Sequence, residues 1–528
     1  MTESGGNTTE SRRTRGWFTR LAIDVRPLQV PAYRRLWLGT GVSMFGFQLT
    51  AVAVPVEMYT LTDESLWVGL LGVAGFVPLL IFGLWGGAVA DAVDRRRLLL
   101  ASSLLMWLST LGLLAQALLR VGSPVLLLAL VAVQTIAFAV SSPTRVAIIA
   151  RLVPAPLLPA ANTLGFTTST AGGVLGPLAS GLVFSALPVE GALPVAYGVD
   201  ALLFTVSLWA TWRLPPMPPL LDEGTREPRR LGLASVADGF RYLAAAPVLL
   251  LSFAVDVIAM LFAMPRALFP EVATERFGGG AAIGWLYSAI GIGSMLGGLT
   301  SGWIGRVRRQ GLGLLIAVVG WSLAIAAAGL ARQLWLMVGL LALAGSADLV
   351  SAVLRQSMLQ VYAPDRMRGR LQGVNIAVVA GGPRLGDLRA GMMASFWGAG
   401  ISWVGGSVLA AILAVLVGLL FPALLRYRAP TEEQLDGAGT TGSADGPAAK
   451  TGAGLAAEPD PAPAAEPDPA PAAETSAGSA VEPDPAPAAE PGTGSAAATG
   501  RPEAGTVTAG RASGRSGTPP GQPGSFPG

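Results

Sequence analysis

Hydrophobic residues in this chain are gathered into blocks of about twenty or more, separated by short polar or charged turns. At about 1.5 Å of helical rise per residue, each block is long enough to cross a hydrocarbon layer about 30 Å thick. The pattern predicts six spans near residues 36–61, 66–90, 98–119, 124–150, 160–187 and 194–214. After a polar linker it predicts six more, near 247–271, 280–304, 310–331, 333–357, 370–396 and 402–426. The expected fold is all-α, a polytopic membrane protein of twelve transmembrane helices in two six-helix bundles, 36–214 and 247–428. Segment 1–35, linker 215–246 and tail 429–528 lie outside the bundles.

Basic residues set the expected orientation. Arg12, Arg13, Arg15, Arg20, Arg26, Arg34 and Arg35 precede the first span, and Arg95, Arg96, Arg97, Arg151, Arg213, Arg226, Arg229, Arg230 and Arg241 follow on the same side. The second half adds Arg306, Arg308, Arg309, Arg366, Arg368, Arg370, Arg426 and Arg428, while the other side keeps only Arg120, Arg276 and Arg332. Because cytoplasmic loops collect Lys and Arg, both termini are expected inside the cell membrane. The first span reads as a retained helix, since no short apolar core with a small-residue cleavage site precedes it. The linker opens with Pro215, Pro216, Pro218 and Pro219, and Leu231 to Leu243 suits a short amphipathic helix at the inner surface. In the tail, Glu-Pro-Asp-Pro-Ala-Pro-Ala-Ala recurs from Glu458, through Glu466, and again at Glu482. Such a segment buries too little apolar surface to offset chain entropy and is expected to be disordered.

Composition narrows the chemistry. Of 528 residues, 52% are hydrophobic and 13% charged, which excludes a string of soluble domains. There is no Cys, so disulfide and thiolate chemistry drop out. There is no His, the near-neutral proton carrier and commonest metal ligand, so no metal or cofactor is expected and any coupled proton must ride on a carboxylate. No Gly-x4-Gly-Lys-[Ser/Thr] loop is present, which argues against ATP-driven transport. No nucleophile constellation suggests an enzyme, and nothing points to nucleic acid. The expected partners are a small-molecule substrate and the lipid bilayer, with the chain acting as a monomer.

An internal repeat is legible. Gly69, Gly83, Gly87 and Asp91 recur at a constant offset as Gly284, Gly298, Gly302 and Arg306. Glycines four apart lie on one helix face and admit a neighbouring backbone. Two parallel six-helix repeats around a cleft are the architecture of major facilitator transporters. Gly87-Ala-Val-Ala-Asp91-Ala-Val-Asp94-Arg95-Arg96-Arg97 resembles that superfamily's loop 2–3 signature, with Ala92 and Asp94 departing from it. Gly172-Gly-Val-Leu-Gly176-Pro177-Leu-Ala-Ser180-Gly181 is similar to the antiporter signature, with Ser180 departing, and this resemblance implies export. The fourth-span Arg of proton-coupled drug antiporters has no counterpart near Val131–Gln134. Further resemblance runs to the enterobactin (siderophore) exporter group. Val52-Ala-Val-Pro55-Val56, Trp67-Val-Gly69, Arg266-Ala-Leu-Phe-Pro270, Ile283-Gly-Trp-Leu-Tyr287, Leu299-Thr-Ser-Gly302, Ser357-Met-Leu-Gln360 and Gly369-Arg370 carry it. It implies a secondary active exporter working by alternating access. A multidrug or macrolide antiporter, and a receptor that moves nothing, are the rivals.

Charges inside the spans are the candidate site, because each costs several kcal/mol unless it meets a partner or a wet cavity. Glu57 and Arg266 suit an outer gate joining both halves, or a peripheral interface. Glu57, Asp256 and Asp348 are proton-coupling candidates, and Asp348 with Arg355 is equally a helix-packing pair on one face. Asp200 falls near the outer face. Gly381-Gly382-Pro383-Arg384-Leu-Gly386-Asp387-Leu-Arg389 predicts an interrupted eleventh helix lining the cavity. There Arg384 or Arg389 attracts anionic cargo, or Arg384 pairs with Asp387 three residues on as an internal lock. Asp91 and Arg145 suit an inner gate.

Overall fold

The computed structural model describes residues 24–218, 241–362 and 365–428, with the backbone alone for 84–92, 362, 365–370, 372–373 and 376–377. Most of the linker, with 231–240 of the expected helix Leu231 to Leu243, the tail, Arg12, Arg13, Arg15 and Arg20, the surroundings of Gly87, and the side chains of Asp91, Arg366, Arg368 and Arg370 therefore lie outside the described residues.

The first half contributes α1 (Pro31–Thr62), α2 (Ser65–Ala92), α3 (Arg95–Leu118), α4 (Pro124–Leu152), α5 (Leu158–Ala186) and α6 (Val189–Trp212). The seventh span is α7 (Pro247–Ala263) continued, after a break, by α8 (Phe269–Phe277). Then come α9 (Ala281–Leu299), α10 (Gln310–Leu330), α11 (Leu334–Tyr362), α12 (Asp365–Trp397), α13 (Ala399–Leu420) and a short α14 (Pro422–Arg426). Among the described residues, 11 helical segments are long and apolar enough to span a membrane. Adding α12, whose charges keep it below that hydropathy, gives the twelve expected spans.

Local sequence explains the ends. Proline opens α1, α4 and α7, where its missing N–H costs nothing. Asp94 caps α3 by accepting from the N–H of Arg97 at 2.9 Å, and Ser123 caps α4. Prolines also sit inside α1, α2, α4, α5, α6 and α12, as neighbouring helices in a membrane bundle permit.

The interruption expected in the eleventh span is absent there: α12 runs unbroken from Asp365 to Trp397 through Pro383. Its glycines serve close packing. A Cβ on Gly382 would touch Met260 of α7, one on Gly386 would strike the Met260 carbonyl, and one on Gly381 would strike the Phe76 ring of α2. The break falls in the seventh span. Pro265 forces Met264 into an extended conformation, and Arg266–Leu268 forms a single 3-10 turn before α8 begins.

Candidate functional site

The two halves meet along α2 with α12 and along α5 with α9. A Cβ at Gly69 would lie 2.7 Å from the Asp387 carbonyl oxygen, and one at Gly72 2.6 Å from that of Arg384. Across the other seam the Gly181 and Gly284 backbones meet, and a Cβ on either would lie 2.7 Å from the other's Cα. Among the described residues, the hydrogen bonds joining the halves are Tyr59 to Glu275 at 3.2 Å, Ser65 to Glu271, Ser288 to the Val174 carbonyl at 3.0 Å, and Arg384 to the Gly75 carbonyl. All of these lie at mid-span or on the face remote from Arg95–Arg97. Among the described residues the halves are therefore closed against each other at mid-span and on that remote face.

Beside the seam of α2 with α12, the break in the seventh span meets α12. Asp387 accepts from the N–H of Ala267 at 3.1 Å, at the start of the distal half-helix. Arg389 donates to the carbonyls of Leu261 at 3.1 Å, Phe262, and Ser402 at 3.2 Å, and so caps the end of α7. One acid and one base on α12 thus satisfy the backbone groups that the break exposes, each with the sign suited to its helix end. This occupies Arg389, which the sequence offers as a cargo contact. Arg384 and Asp387 do not pair; among the described residues no carboxylate lies within ion-pair distance of Arg384 or of Arg266. Arg266 is exposed, with its guanidinium 5.8 Å from the centre of the Tyr287 ring. Arg266, Arg384 and Arg389 all act electrostatically on the single Asp387.

Asp256 and Asp348 come together in the second half. The expected pairing of Asp348 with Arg355 is replaced by an ion pair between Arg355 and Asp256, which are 4% and 1% exposed. Position on one helix face could not reveal that a carboxylate on another helix stands closer. Asp348 lines the same small space with Ala259, Met260, Val318, Trp321 and Ser351.

Glu57 is far from Arg266 in bonding terms. It accepts from Gln116 at 2.7 Å and Tyr197 at 2.5 Å, inside the first half. Asp200, read from sequence as near the outer face, is wholly buried and accepts from Thr50 at 2.6 Å and Thr110 at 3.4 Å. Sequence reasoning missed these partners because it tracked charges; uncharged Gln116, Tyr197 and Thr50 inside apolar spans were the available signal.

The transmembrane secretion effector profile matches residues 23–440, most of the chain and all of its described spans. The chain belongs to the transmembrane secretion effector family. It is 31% identical over 407 residues to the enterobactin exporter EntS of Shigella boydii serotype 18, covering 75% of this chain and 94% of that protein. Identity to EntS of Escherichia coli O139:H28 is the same over the same length. Among solved structures, the nucleoside transporter NupG superposes with a TM-score of 0.59 at 15% identity, covering 75% of this chain and 99% of that one. A bacterial homologue of the lysosomal transporter Spinster, in an inward-facing unoccupied conformation, gives 0.58 at 19% identity, with coverages of 76% and 97%. These neighbours establish a major facilitator fold and a multi-pass membrane protein.

In this transmembrane secretion effector the antiporter-like residues divide their work. Gly172 and Gly176 bring α5 against Met44 and Gln48 of α1, whereas Pro177 and Gly181 bring it against Gly284 across the seam. Around the loop 2–3 residues, Arg95 donates its N–H to the Met217 carbonyl at 3.1 Å and Asp94 accepts from the Met217 N–H at 3.0 Å. The start of the linker is thereby docked beside the loop, with Arg151 on the Pro218 carbonyl. Burial alone would raise the Asp94 carboxyl, but the N–H groups of Arg97, Met217 and Arg96 outweigh it and hold its pKa below the ordinary value. Arg145 is half-buried, its Nε without a partner among the described residues, and Arg306 is exposed after the 3-10 turn Ser301–Arg306. Since the Asp91 side chain lies outside the described residues, the inner-gate pairing stays an expectation.

Proposed function

We propose that this chain is a secondary active exporter that carries a small anionic, oxygen-rich organic molecule, of the siderophore class, out of the cell by alternating access coupled to proton influx. The chain acts as a monomer with both termini in the cytoplasm, so the face closed by the Tyr59 and Ser65 contacts is extracellular and the conformation is inward-facing. Arg266 and Arg384 carry the reading. Two guanidinium groups in the outer half of their spans, Arg266 over the Tyr287 ring and Arg384 on the Gly75 carbonyl, have no carboxylate in ion-pair reach among the described residues. Unpaired cations at that depth are costly, and a bound anion offsets the cost. The relative at 31% identity is named for export of enterobactin, which supplies the first cargo to try.

In everted vesicles, whose cytoplasmic face points outward, the wild type is expected to accumulate enterobactin. Arg266→Ala and Arg384→Ala each remove a charge-assisted contact worth about 1.5–3 kcal/mol, a loss of about tenfold or more in apparent affinity. Equal accumulation by wild type and both variants refutes the assignment of these arginines. Accumulation of lipophilic cations, unaffected by either substitution, moves the chain to multidrug efflux. Binding with no accumulation of any cargo makes it a receptor.

A further inference from the structure

One cluster in the second half gathers more acid than its single guanidinium can neutralise. Asp256 on α7 and Asp348 on α11 flank one guanidinium, that of Arg355. Asp256 is engaged with Arg355 through Oδ1, and its Oδ2 is buried without a hydrogen-bond partner. Half-buried Asp348 has no hydrogen bond or ion pair among the described residues. The rest of the wall, Ala259, Met260, Val318, Trp321 and Ser351, is uncharged.

The elements packed around this site bring few charges among the described residues; the 3-10 turn Ser301–Arg306 packs on α11, and its Arg306 is exposed at the arginine-rich face. Helices α10 and α13 carry no titratable residue, and α9 carries only Tyr287. The charges Arg384, Asp387 and Arg389 of α12 stand level with Met260 and beyond, since Gly382 and Gly386 pack there. Arg426 of α14 is at the arginine-rich face. With both carboxylates ionised the site therefore keeps one uncompensated negative charge near mid-span, a cost of several kcal/mol.

We infer that Asp256, Arg355 and Asp348 form a binding site for a single proton, with Asp348 as the group that loads and unloads it. The donor set selects the ligand. The space both carboxylates line is otherwise walled by Ala259, Met260, Val318, Trp321 and Ser351, which supply too few oxygens for the roughly six to eight that a calcium ion, or the six that a magnesium ion, requires. Exposure selects the exchanging group: Asp348 is half-buried whereas Asp256 is 1% exposed and tied to Arg355. Hydronium delivers the proton to a carboxylate oxygen of Asp348, which becomes a neutral acid; release to water restores the net negative charge. Asp256 and Arg355 stay ionised throughout and hold the field that makes the exchange a one-proton event. Use of this proton to drive cargo rests on the exporter reading, but the existence of the site does not.

Infrared difference titration of the full-length protein in lipid tests the site without any cargo. Acidification is expected to produce a carboxylic acid C=O band that shifts in D2O. Asp348→Asn should remove the component that Asp348 carries, leaving what the buried Glu57 and Asp200 and the half-buried Asp387 contribute. Asp256→Asn should remove the same component, because Arg355 is then left to pair with Asp348, and a neutral pair needs no proton. Both variants keep charge balance and should elute as the wild type does in size exclusion. Arg355→Gln should extend that component to higher pH, and Glu57→Gln should leave it unchanged. A band of equal intensity in wild type and Asp348→Asn, or a wild type with none, overturns the inference. If the band behaves as expected while energised vesicles accumulate no enterobactin, the exporter reading fails and the proton site stands.

Discussion

Closure of the face remote from Arg95–Arg97 depends on two backbones touching where α5 crosses α9, so a side chain placed there should shift the conformational balance. A Cβ on Gly284 would lie 2.6 Å from the Pro177 carbonyl oxygen and 2.7 Å from the Gly181 Cα, against an ordinary contact of 3.4 Å or more. The obstructing atoms are backbone and cannot rotate away, so the bundles must part by several tenths of an ångström. Overpacking of this kind costs about 1–3 kcal/mol, and Gly284→Leu belongs at the upper end. In alternating access the seam is closed in only one state, so that cost falls on this state alone. It then shifts the equilibrium about 5–150-fold toward the form open on the opposite face. The absence of native cysteine makes the assay clean. A single Val174→Cys, 6% exposed within the seam, reports attack by a membrane-impermeant thiol reagent added from the sealed face. Its labelling rate should rise in Gly284→Leu, less in Gly284→Ala, and not at all in Gly302→Leu, whose Cβ meets nothing within 4 Å. Equal labelling rates across the set would refute the seam's role in alternation.

Other expectations follow from the same geometry. Arg389→Ala strands the Leu261 and Phe262 carbonyls at the break in the seventh span and the Ser402 carbonyl of α13. Half-burial tempers the loss to about 2–4 kcal/mol, read as a lowered thermal midpoint in detergent; an unchanged midpoint removes the capping role. Asp94→Ala removes a helix cap worth about 0.5–2 kcal/mol and frees residues 213–218, read as faster amide exchange there. Because the folded Asp94 pKa is depressed, its contribution is complete above the unfolded value near 3.8 and fades as pH falls through the folded value. Glu57→Gln keeps one oxygen to accept from Gln116, and its amide N–H can donate to the Tyr197 hydroxyl oxygen, so gradient-driven transport should persist. Loss of coupling in that variant would make Glu57, rather than Asp348, the proton carrier.

Spans, duplication and superfamily were legible because they rest on one-dimensional facts. Blocks of apolar residues must be helical in lipid, and the Gly83 and Gly298 segments repeat at a fixed offset. Which charges belong together was not legible. Arg355 finds Asp256 across helices instead of Asp348 on its own helix, and Asp387 finds the N–H of Ala267 instead of Arg384. Both choices are made by interhelical packing that no spacing along one chain encodes. The proline near Arg384 was a misleading signal: flanking glycines brought α12 against α7 and α2, and packing held the helix together. Pro265, beside an arginine already singled out, marked the true break.

Transport itself is the most direct test. Purified full-length protein in proteoliposomes, with a proton gradient imposed in either direction, is presented with enterobactin at equal concentrations on both sides. The account predicts net movement of enterobactin against the direction of proton flow, abolished by a protonophore and strongly reduced in Arg384→Ala. Movement indifferent to the gradient, or identical in Arg384→Ala, would contradict it.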